Sequence, residues 1–396
     1  MDGQAPIATI VVGRAPWRVV VDSHDRRAFV INQGDGSVSV LDSRTGAVLQ
    51  ALTVGTDPVA AAADERTGRL FVANAGDATV SVVDARSGAV VRTVVVGTSP
   101  QWLAVDERTG RVFVPNRSDG TVSVLNARSG AVMRTVAVGL FPFAAAVDER
   151  TDRVFVRCNS GRVVVLDARN GDVVRTVRVG AAPWGQVAVD QQTARVFVTN
   201  PHDKTVSMLD AHTGVVLRTI FIGIEGYRPA VDGRAGQVMI VGPANGQGRA
   251  VILSARTGAL QGAIALGYTL WPALAVTRTG SVLVGTVGKT DRMGDATDNG
   301  AVSVLDPRNA HPTQLVAVGI FPIDIGVDDQ TRRAFVVNYT ARWSDGSPIA
   351  VAPAQGWWTP AQRWLSSWTP LVPTPRPPRP STNGTVSVLD TSRLGD

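Results

Sequence analysis

The chain has 396 residues and a formal net charge of +6, and 44% of its residues are hydrophobic, a composition typical of a globular protein. Its basic residues are nearly all arginine and form no clustered stripe, which argues against a nucleic-acid partner. A single cysteine, Cys158, excludes an internal disulfide framework and a thiolate metal cluster. No apolar run is long enough for a transmembrane segment, and the first residues lack the pattern of a signal peptide, so the compartment stays open.

The first predicted element is a strand at 7–13, IATIVVG, and a repeated unit fills the rest of the chain. Each unit holds four short strands, which we name a, b, c and d from the predicted channel to the rim. In the third copy they are QWLAVD, RVFVPN, TVSVLN and VMRTVAVG, joined by turns in which Gly supplies the positive φ of a tight hairpin. The strand-c phrase VSVLD or a variant of it recurs at 38–42, 80–84, 122–126, 163–167, 206–210, 251–255, 302–306 and 386–390.

Four strands in about 42 residues is typical of one blade of a β-propeller. The repeat therefore predicts an all-β fold, an eight-bladed β-propeller that spans 1–396 as a single domain. Seven blades is the alternative if copy six does not fit. The last copy ends after strand c at 385–390, so the strand at 7–13 is predicted to complete blade 8 and close the ring.

The strand pairs at 70–84 and 196–210 resemble the YVTN family of β-propeller repeats, and FVTN at 197–200 is a near match to the motif that gives the family its name. The resemblance covers the whole chain except two insertions. It implies a propeller and suggests an extracytoplasmic location. Similar propellers include surface-layer, periplasmic and binding proteins as well as enzymes, so the resemblance does not choose a function.

Strand order places the d–a and b–c loops on one face, which we call the variable face, and the uniform a–b and c–d turns on the other, the hairpin face. We expect the hairpin-face turns to be solvated. On the variable face, the position four residues before the end of strand a is predicted to point into the channel mouth. Polar or aromatic residues at that position or beside it give a candidate ligand site: Trp17, Arg18, Trp102, Trp184, Gln186, Tyr227, Arg228 and Asp324.

Such a mixed-charge rim suits an anionic or hydroxylated ligand. The alternative is that these residues are purely structural. Aromatic residues at blade starts often pack between neighbouring blades, and the charges of an Arg–Asp pair can neutralise each other without a ligand. The four histidines do not converge, which argues against a haem or copper site, and we predict no cofactor. Cys158 is expected to be a small buried residue rather than a nucleophile.

Two insertions lengthen b–c loops of neighbouring blades on the variable face. The first, 287–300 in blade 7, offers Asp291, Asp295 and Asp298, but their spacing is not that of a calcium-binding loop and they are weak metal candidates. The second, 339–384 in blade 8, contains a predicted short helix over 360–368 followed by a proline-rich return. Its tryptophans are predicted to form a lid, a self-association surface or a partner contact: Trp357, Trp358, Trp364 and Trp368.

We therefore interpret the sequence as a non-catalytic binding or interaction propeller, a scaffold for a small-molecule or protein ligand held at the variable face. A lactonase- or lyase-like enzyme with its site at the same channel mouth is one alternative. A structural protein of the cell surface or envelope is the other.

Overall fold

The computed structural model describes residues 5–180, 185–245, 247–267, 273–287, 300–307, 312–339 and 383–394. Within these ranges the chain forms eight four-stranded antiparallel sheets, each of which is one blade. A short 3-10 turn, Thr391–Arg393, follows the last strand, and the described residues contain no α-helix. The all-β, eight-bladed architecture predicted from the repeat is confirmed, and the seven-bladed alternative is wrong.

The strands of blades 1 to 8 follow in order a to d. Blades 1 and 2 contain β2 (Pro16–Asp22), β3 (Arg27–Asn32), β4 (Ser37–Asp42), β5 (Val48–Thr53), β6 (Pro58–Asp64), β7 (Arg69–Asn74), β8 (Thr79–Asp84) and β9 (Val90–Val95). Blades 3 and 4 contain β10 (Ala104–Asp106), β11 (Arg111–Asn116), β12 (Thr121–Asn126), β13 (Val132–Ala137), β14 (Pro142–Asp148), β15 (Arg153–Cys158), β16 (Arg162–Asp167) and β17 (Val173–Arg178). Blades 5 and 6 contain β18 (Val187–Asp190), β19 (Arg195–Asn200), β20 (Thr205–Asp210), β21 (Val216–Phe221), β22 (Arg228–Asp232), β23 (Gln237–Ala244), β24 (Gln247–Ser254) and β25 (Leu260–Ala265). Blades 7 and 8 contain β26 (Leu274–Val276), β27 (Val282–Thr286), β28 (Ala301–Leu305), β29 (Gln314–Ala317), β30 (Pro322–Asp328), β31 (Arg333–Asn338), β32 (Asn383–Asp390) and β1 (Ala8–Arg14).

The N-terminal strand closes the ring. Strand β1 pairs antiparallel with β32, with Thr9 opposite Ser387 and Val11 opposite Thr385, and so completes blade 8. Along the channel each innermost strand contacts the innermost strand of the next blade, and β2 contacts both β6 and β30. The predicted closure by the strand at 7–13 is therefore confirmed.

The hydrophobic core lies between blades rather than in one centre. Eight clusters of buried side chains each combine residues from two adjacent blades. Strands b and c carry these side chains because both of their faces pack against neighbouring blades, which leaves almost every residue buried, as in β7 and β8. A phenylalanine in strand b of six blades is fully buried: Phe29, Phe71, Phe113, Phe155, Phe197 and Phe335.

A repeated asparagine at the end of strand b fixes the variable face. Asn74 donates from Nδ2 to Oγ1 of Thr79 at 2.9 Å and to Oγ of Ser81 at 3.0 Å, which ties strand b to strand c. A Cβ on Gly55 would lie 2.5 Å from the same Nδ2, so only glycine lets the d–a loop approach this closely. The same asparagine pattern recurs in four more blades, at Asn32, Asn116, Asn200 and Asn338.

Blade 4 departs from this pattern, because Cys158 occupies the place of the asparagine. There the fully buried Arg157 supplies the hydrogen bonds instead. Its Nη1 donates to the carbonyl oxygens of Cys158 at 2.5 Å and Arg162 at 3.3 Å, and its Nη2 donates to that of Gly180 at 3.3 Å. As expected, Cys158 is itself buried, at 1% exposure.

The hairpin-face turns are less solvated than the sequence predicted. The aspartate that ends strand a is fully buried in five blades, as at Asp64, whose Oδ1 accepts the backbone N–H of Thr67 at 3.0 Å. Burial arises because the next blade covers this end of the strand. The prediction that these turns are merely solvated is wrong for the aspartates, although the arginines beside them, such as Arg66, are exposed.

Candidate binding site at the channel mouth

The variable-face end of the channel is shaped by β-bulges in strand a. In blades 1 and 8 the pairing of strands a and b shifts between the opening proline and the residue two positions later, so Trp17 falls out of register. Its ring lies edge-on to Tyr339 of blade 8, with 6.3 Å between ring centroids. Arg18 and Asp324 follow directly after the bulges and return to register with strand b. Trp17 therefore packs between two blades, as the structural interpretation of the aromatic residues anticipated.

Asp324 of blade 8 lies at the centre of the candidate site. It is 2% exposed, and its Oδ1 is 2.5 Å from Nη1 of Arg228 in blade 6. Its Oδ2 accepts the backbone N–H of Val19 at 3.0 Å and lies 3.7 Å from Nε of Arg18 in blade 1. One buried carboxylate thus joins arginines from two other blades.

Trp102 of blade 3 completes the cluster from the other side of the channel. The guanidinium carbon of Arg18 lies 3.7 Å from the centroid of the Trp102 ring, and that of Arg228 lies 5.8 Å from it. Both distances are within the range of a cation–π interaction. We call these four residues, Arg18, Trp102, Arg228 and Asp324, the channel cluster.

The backbone of blade 3 changes course to place Trp102 there. Strand a of this blade begins only at Ala104, and Trp102 instead forms a parallel bridge with Ala144 of blade 4. The Trp102 N–H donates to the carbonyl oxygen of Phe143 at 3.2 Å, and the Ala145 N–H donates to that of Trp102 at 3.0 Å. The tryptophan is therefore held by the next blade rather than by its own sheet.

The channel cluster carries two cations and one anion. Burial lowers the pKa of Arg18 to about 10, an effect that the charge of Asp324 opposes and that of Arg228 reinforces. Burial alone would raise the pKa of Asp324, but the charges of Arg18 and Arg228 and the hydrogen bonds to that carboxylate hold it below its usual range. Arg18 and Asp324 are therefore charged near neutral pH. Nε of Arg18 is buried and has no hydrogen-bond partner among the described residues.

The remaining predicted site residues make other contacts or lie outside the described ranges. Gln186 is partly buried, and its backbone N–H and carbonyl bond to Thr199 at 2.9 and 3.0 Å. The Tyr227 hydroxyl lies 3.5 Å from Oε2 of Glu225, and burial together with that carboxylate raises its pKa well above the usual value. The predicted residues that fall outside the described ranges are Trp184, Asp291, Asp295, Asp298, Trp357, Trp358, Trp364 and Trp368.

Sequence reasoning missed Tyr339 and Val19. Tyr339 follows the last residue of strand b in blade 8, and its ring supports Trp17; burial raises the pKa of its hydroxyl. Val19 contributes only its backbone N–H to Asp324. Neither residue type signals such a role in the sequence, because one acts through packing across a blade boundary and the other through the main chain.

The described part of the chain contains no group of three or more His, Cys, Asp or Glu side chains placed to hold a metal ion. Burial raises the pKa of the Cys158 thiol to about 11, which keeps it protonated near neutral pH. No helix in the described ranges is long and apolar enough to cross a membrane.

The fold and this cluster define a closed eight-bladed β-propeller with a charged group of side chains in its channel. Comparison with known proteins agrees with the fold: residues 118–270, less than half of the chain, match the family model described as outer membrane protein assembly factor BamB. A comparison with curated proteins finds no match.

Several solved propellers are similar in structure. BamB from Moraxella catarrhalis has a TM-score of 0.62 and 15% identity over 85% of this chain and 97% of that one. The dihydro-heme d1 dehydrogenase NirN, solved in complex with DHE, has a TM-score of 0.63 and 13% identity over 85% and 74%. Kuenenia stuttgartiensis hydrazine synthase has a TM-score of 0.55 and 17% identity over 86% and 96%. At these identities the likeness shows the propeller fold alone.

Proposed function

We propose that this protein is a non-catalytic binding propeller that holds an anionic group of a small-molecule or protein ligand at the variable-face end of its channel. The observation that carries the proposal is the channel cluster, in which Arg18 and Arg228 share the single carboxylate of Asp324. The three side chains come from blades 1, 6 and 8, so the ring itself assembles the site.

The excess positive charge supports an anionic ligand. In a purely structural ion pair, one arginine neutralises one aspartate. A second arginine in the same buried site adds a desolvation cost that a one-to-one pair avoids. Arg228 keeps 26% of its side chain exposed beside the nearly buried Asp324, so this side chain is partly accessible to a ligand. A guanidinium offers carboxylate and phosphate groups two parallel N–H donors.

Trp102 supports the same ligand chemistry in a second way. Its ring stacks against Arg18 and leaves an apolar surface beside the two cations. Binding sites typically combine such an apolar wall with a few convergent polar groups. A ligand with an anionic group attached to a planar or apolar body fits this combination.

An extracytoplasmic location and a role in the cell envelope, and membership of the YVTN repeat family, are part of the proposal. The match of 118–270 to the BamB family model and the FVTN motif at 197–200 support them. Fractionation of the native cells with an antibody against the protein tests the location. Recovery in the cytosol alone would remove this part of the proposal.

Thermal-shift measurements with inorganic phosphate and citrate test the anion site. We expect both anions to raise the melting temperature of the wild type, because a ligand that binds only the folded state stabilises it. Arg228→Gln, which removes the accessible cation, should abolish the shift.

Arg256→Gln is the matched control, since Arg256 is an exposed arginine of the same blade on the hairpin face. It should respond to the anions as the wild type does. If neither anion shifts the wild type, or if Arg228→Gln and Arg256→Gln respond alike, the channel cluster is not an anion site.

A further inference from the structure

Blade 4 has an unusual end on the variable face. Its d–a loop presents Leu140 and Phe141, which are 64% and 44% exposed. Its strands c and d begin and end there with Arg162 and Arg178, which are both exposed. We call these four residues the blade-4 tip.

The backbone conformation of the d–a loop disfavours a bulky residue at position 141. Phe141 has a φ of +57°, in the left-handed region, as do Asp57 and Ser99 at the same position in blades 2 and 3. A short polar residue tolerates this conformation far better than a bulky one. Blade 8 also has a phenylalanine there, Phe321, but its side chain is 9% exposed, whereas Phe141 is left in solvent. Neither the loop conformation nor the packing explains an exposed phenylalanine at position 141.

The register of blade 4 places the two arginines beside this loop. Pro142 pairs with Cys158, Cys158 with Arg162, and Arg162 with Arg178, so the four residues form one row across the end of the sheet. Phe141 and Leu140 lie one and two residues beyond that row. The apolar side chains therefore stand at the apex, and the arginines are set back behind them.

The b–c loop of blade 4 lacks the carboxylate that blades 1, 2 and 3 have at this end. Blades 1, 2 and 3 have an aspartate in the b–c loop, at Asp35, Asp77 and Asp119, and each accepts a backbone N–H of the neighbouring d–a loop. The shorter b–c loop of blade 4, 159–161, contains no acidic residue. Neither Arg162 nor Arg178 has an ion-pair partner in the described part of the chain.

We propose that the blade-4 tip docks the protein onto an anionic lipid surface. Leu140 and Phe141 enter the boundary between headgroups and acyl chains, while Arg162 and Arg178 contact lipid phosphates. In a membrane interface the acyl chains lie deeper than the lipid phosphates. The apolar side chains at the apex and the arginines set back behind them match this order. A convex tip fits such a surface better than it fits a flat acidic protein surface, which would leave Leu140 and Phe141 against charged groups. The proposal goes beyond anion binding in the channel and does not depend on it.

Blade 3 supplies the replacement residues for the test. Thr98 and Ser99 occupy the positions of Leu140 and Phe141, and Thr121 pairs with Ala137 where Arg162 pairs with Arg178. The variants Leu140→Thr/Phe141→Ser and Arg162→Thr/Arg178→Ala therefore introduce residues that the same fold already accepts. Val95→Ser is the control, because Val95 is 76% exposed at the register of Arg178 but lies in blade 2.

Co-sedimentation with vesicles measures the docking. The wild type should bind vesicles of phosphatidylglycerol and phosphatidylcholine, release at high salt, and not bind vesicles of phosphatidylcholine alone. Removing both arginines should weaken partitioning by roughly 25-fold, at about fivefold for each cation near an anionic surface. The loop variant should lose at least roughly tenfold, and Val95→Ser should bind as the wild type does.

Three results would overturn the proposal. The wild type could fail to bind phosphatidylglycerol vesicles, or either blade-4 variant could bind as tightly as the wild type while keeping its melting temperature. Binding to polyglutamate without binding to vesicles would assign the tip to an acidic protein instead. Because the variants leave Arg18 and Arg228 intact, their phosphate-induced thermal shift should persist, which separates this test from that of the channel cluster.

Discussion

The two ends of the channel use the same repeat in opposite ways. At the hairpin face the copies agree, and the contacts pass from each blade to the next: Oε1 of Glu65 accepts the N–H of Ser23 at 3.2 Å, and Oε1 of Glu107 accepts that of Glu65 at 2.9 Å. At the variable face Arg18 and Asp324 of the neighbouring blades 1 and 8 form an ion pair, and Arg228 of blade 6 and Trp102 of blade 3 contact this pair from across the ring.

This difference teaches how a ring of repeats obtains a site. Equivalent positions on the innermost strands converge toward one axis, so eight identical charged side chains there would repel one another. Only copies that have diverged can place cations, an anion and an aromatic ring together. The uniform end joins neighbouring blades, and that leaves the other end free to specialise.

The largest effect on stability is expected from removal of the carboxylate that Arg18 and Arg228 share. Asp324→Ala leaves Arg18 and Arg228 without their counter-charge in a buried site, and loss of one partner of a buried ion pair costs about 3–5 kcal/mol. We expect a decrease of that size in the free energy of unfolding, measured by denaturant titration. Asp329→Ala, at the hairpin-face end of the same blade, removes an exposed carboxylate and should cost less than about 1 kcal/mol.

An acid titration tests the role of Asp324 independently. The folded pKa of Asp324 lies below its unfolded value of about 3.9, so its contribution is present above that pH and is lost as the pH falls through the folded pKa. The difference in melting temperature between the wild type and Asp324→Asn should therefore shrink from about pH 5 to about pH 2. A constant difference over that range, or equal costs for Asp324→Ala and Asp329→Ala, would contradict the role assigned to Asp324.

A smaller effect is expected at the hairpin face, where blade 1 has a serine at a position that is alanine in blades 2 to 6. Ser43 donates from Oγ to Oδ2 of the buried Asp328 at 2.5 Å, whereas Ala85 stands at the same repeat position beside Asp22. Oδ2 of Asp22 is buried and has no hydrogen-bond partner among the described residues, and burial raises the pKa of this carboxyl. Ser43→Ala should lower the free energy of unfolding by about 1.5–3 kcal/mol, the usual value for a hydrogen bond to a charged group.

The reverse change provides the control. Ala85→Ser should raise the free energy of unfolding by about 1 kcal/mol, because the new hydroxyl can satisfy Asp22 as Ser43 satisfies Asp328. Urea titration of both variants measures the pair. A stabilising effect of Ser43→Ala, or a destabilising effect of Ala85→Ser, would show that the two positions are not equivalent.

The fold was predictable because its rules are local and repeated. Alternating strands, glycine turns and a period near 42 residues predicted eight blades, and the incomplete last copy predicted closure by the N-terminal strand. Counting back from the aspartate that ends strand a also selected Arg18, Arg228 and Asp324, since equivalent positions in a ring converge.

The limits of sequence reasoning lie at irregular backbone. A bulge of one residue moves Trp17 out of register and places it against Tyr339. No residue type in the d–a loop predicts that bulge. Burial of Asp64 and its equivalents depends on coverage by the next blade, which a single hairpin does not reveal. Both features arise because contacts between blades, not propensity within a blade, decide where the side chain points.

The smallest effect is expected from the longest insertion. Asn338 pairs with Thr385 and bonds to its Oγ1 at 3.3 Å and to Oγ of Ser387 at 3.0 Å, the same arrangement that closes the four-residue loop between Asn74 and Thr79. Replacing 340–382 with a single residue leaves four residues between Asn338 and Thr385 and should keep the melting temperature within about 3 °C of the wild type, since loop length changes closure entropy only slowly.

The same variant tests the predicted role of the insertion, which lies outside the described residues. If its tryptophans form a lid or an association surface, the short-loop protein should change its citrate-induced thermal shift or its mass in solution, measured by light scattering. An unchanged shift and an unchanged mass would contradict both roles. A large fall in melting temperature would instead show that blade 8 needs the insertion to fold, and that the asparagine contacts of Asn338 are not sufficient to hold strands β31 and β32 together.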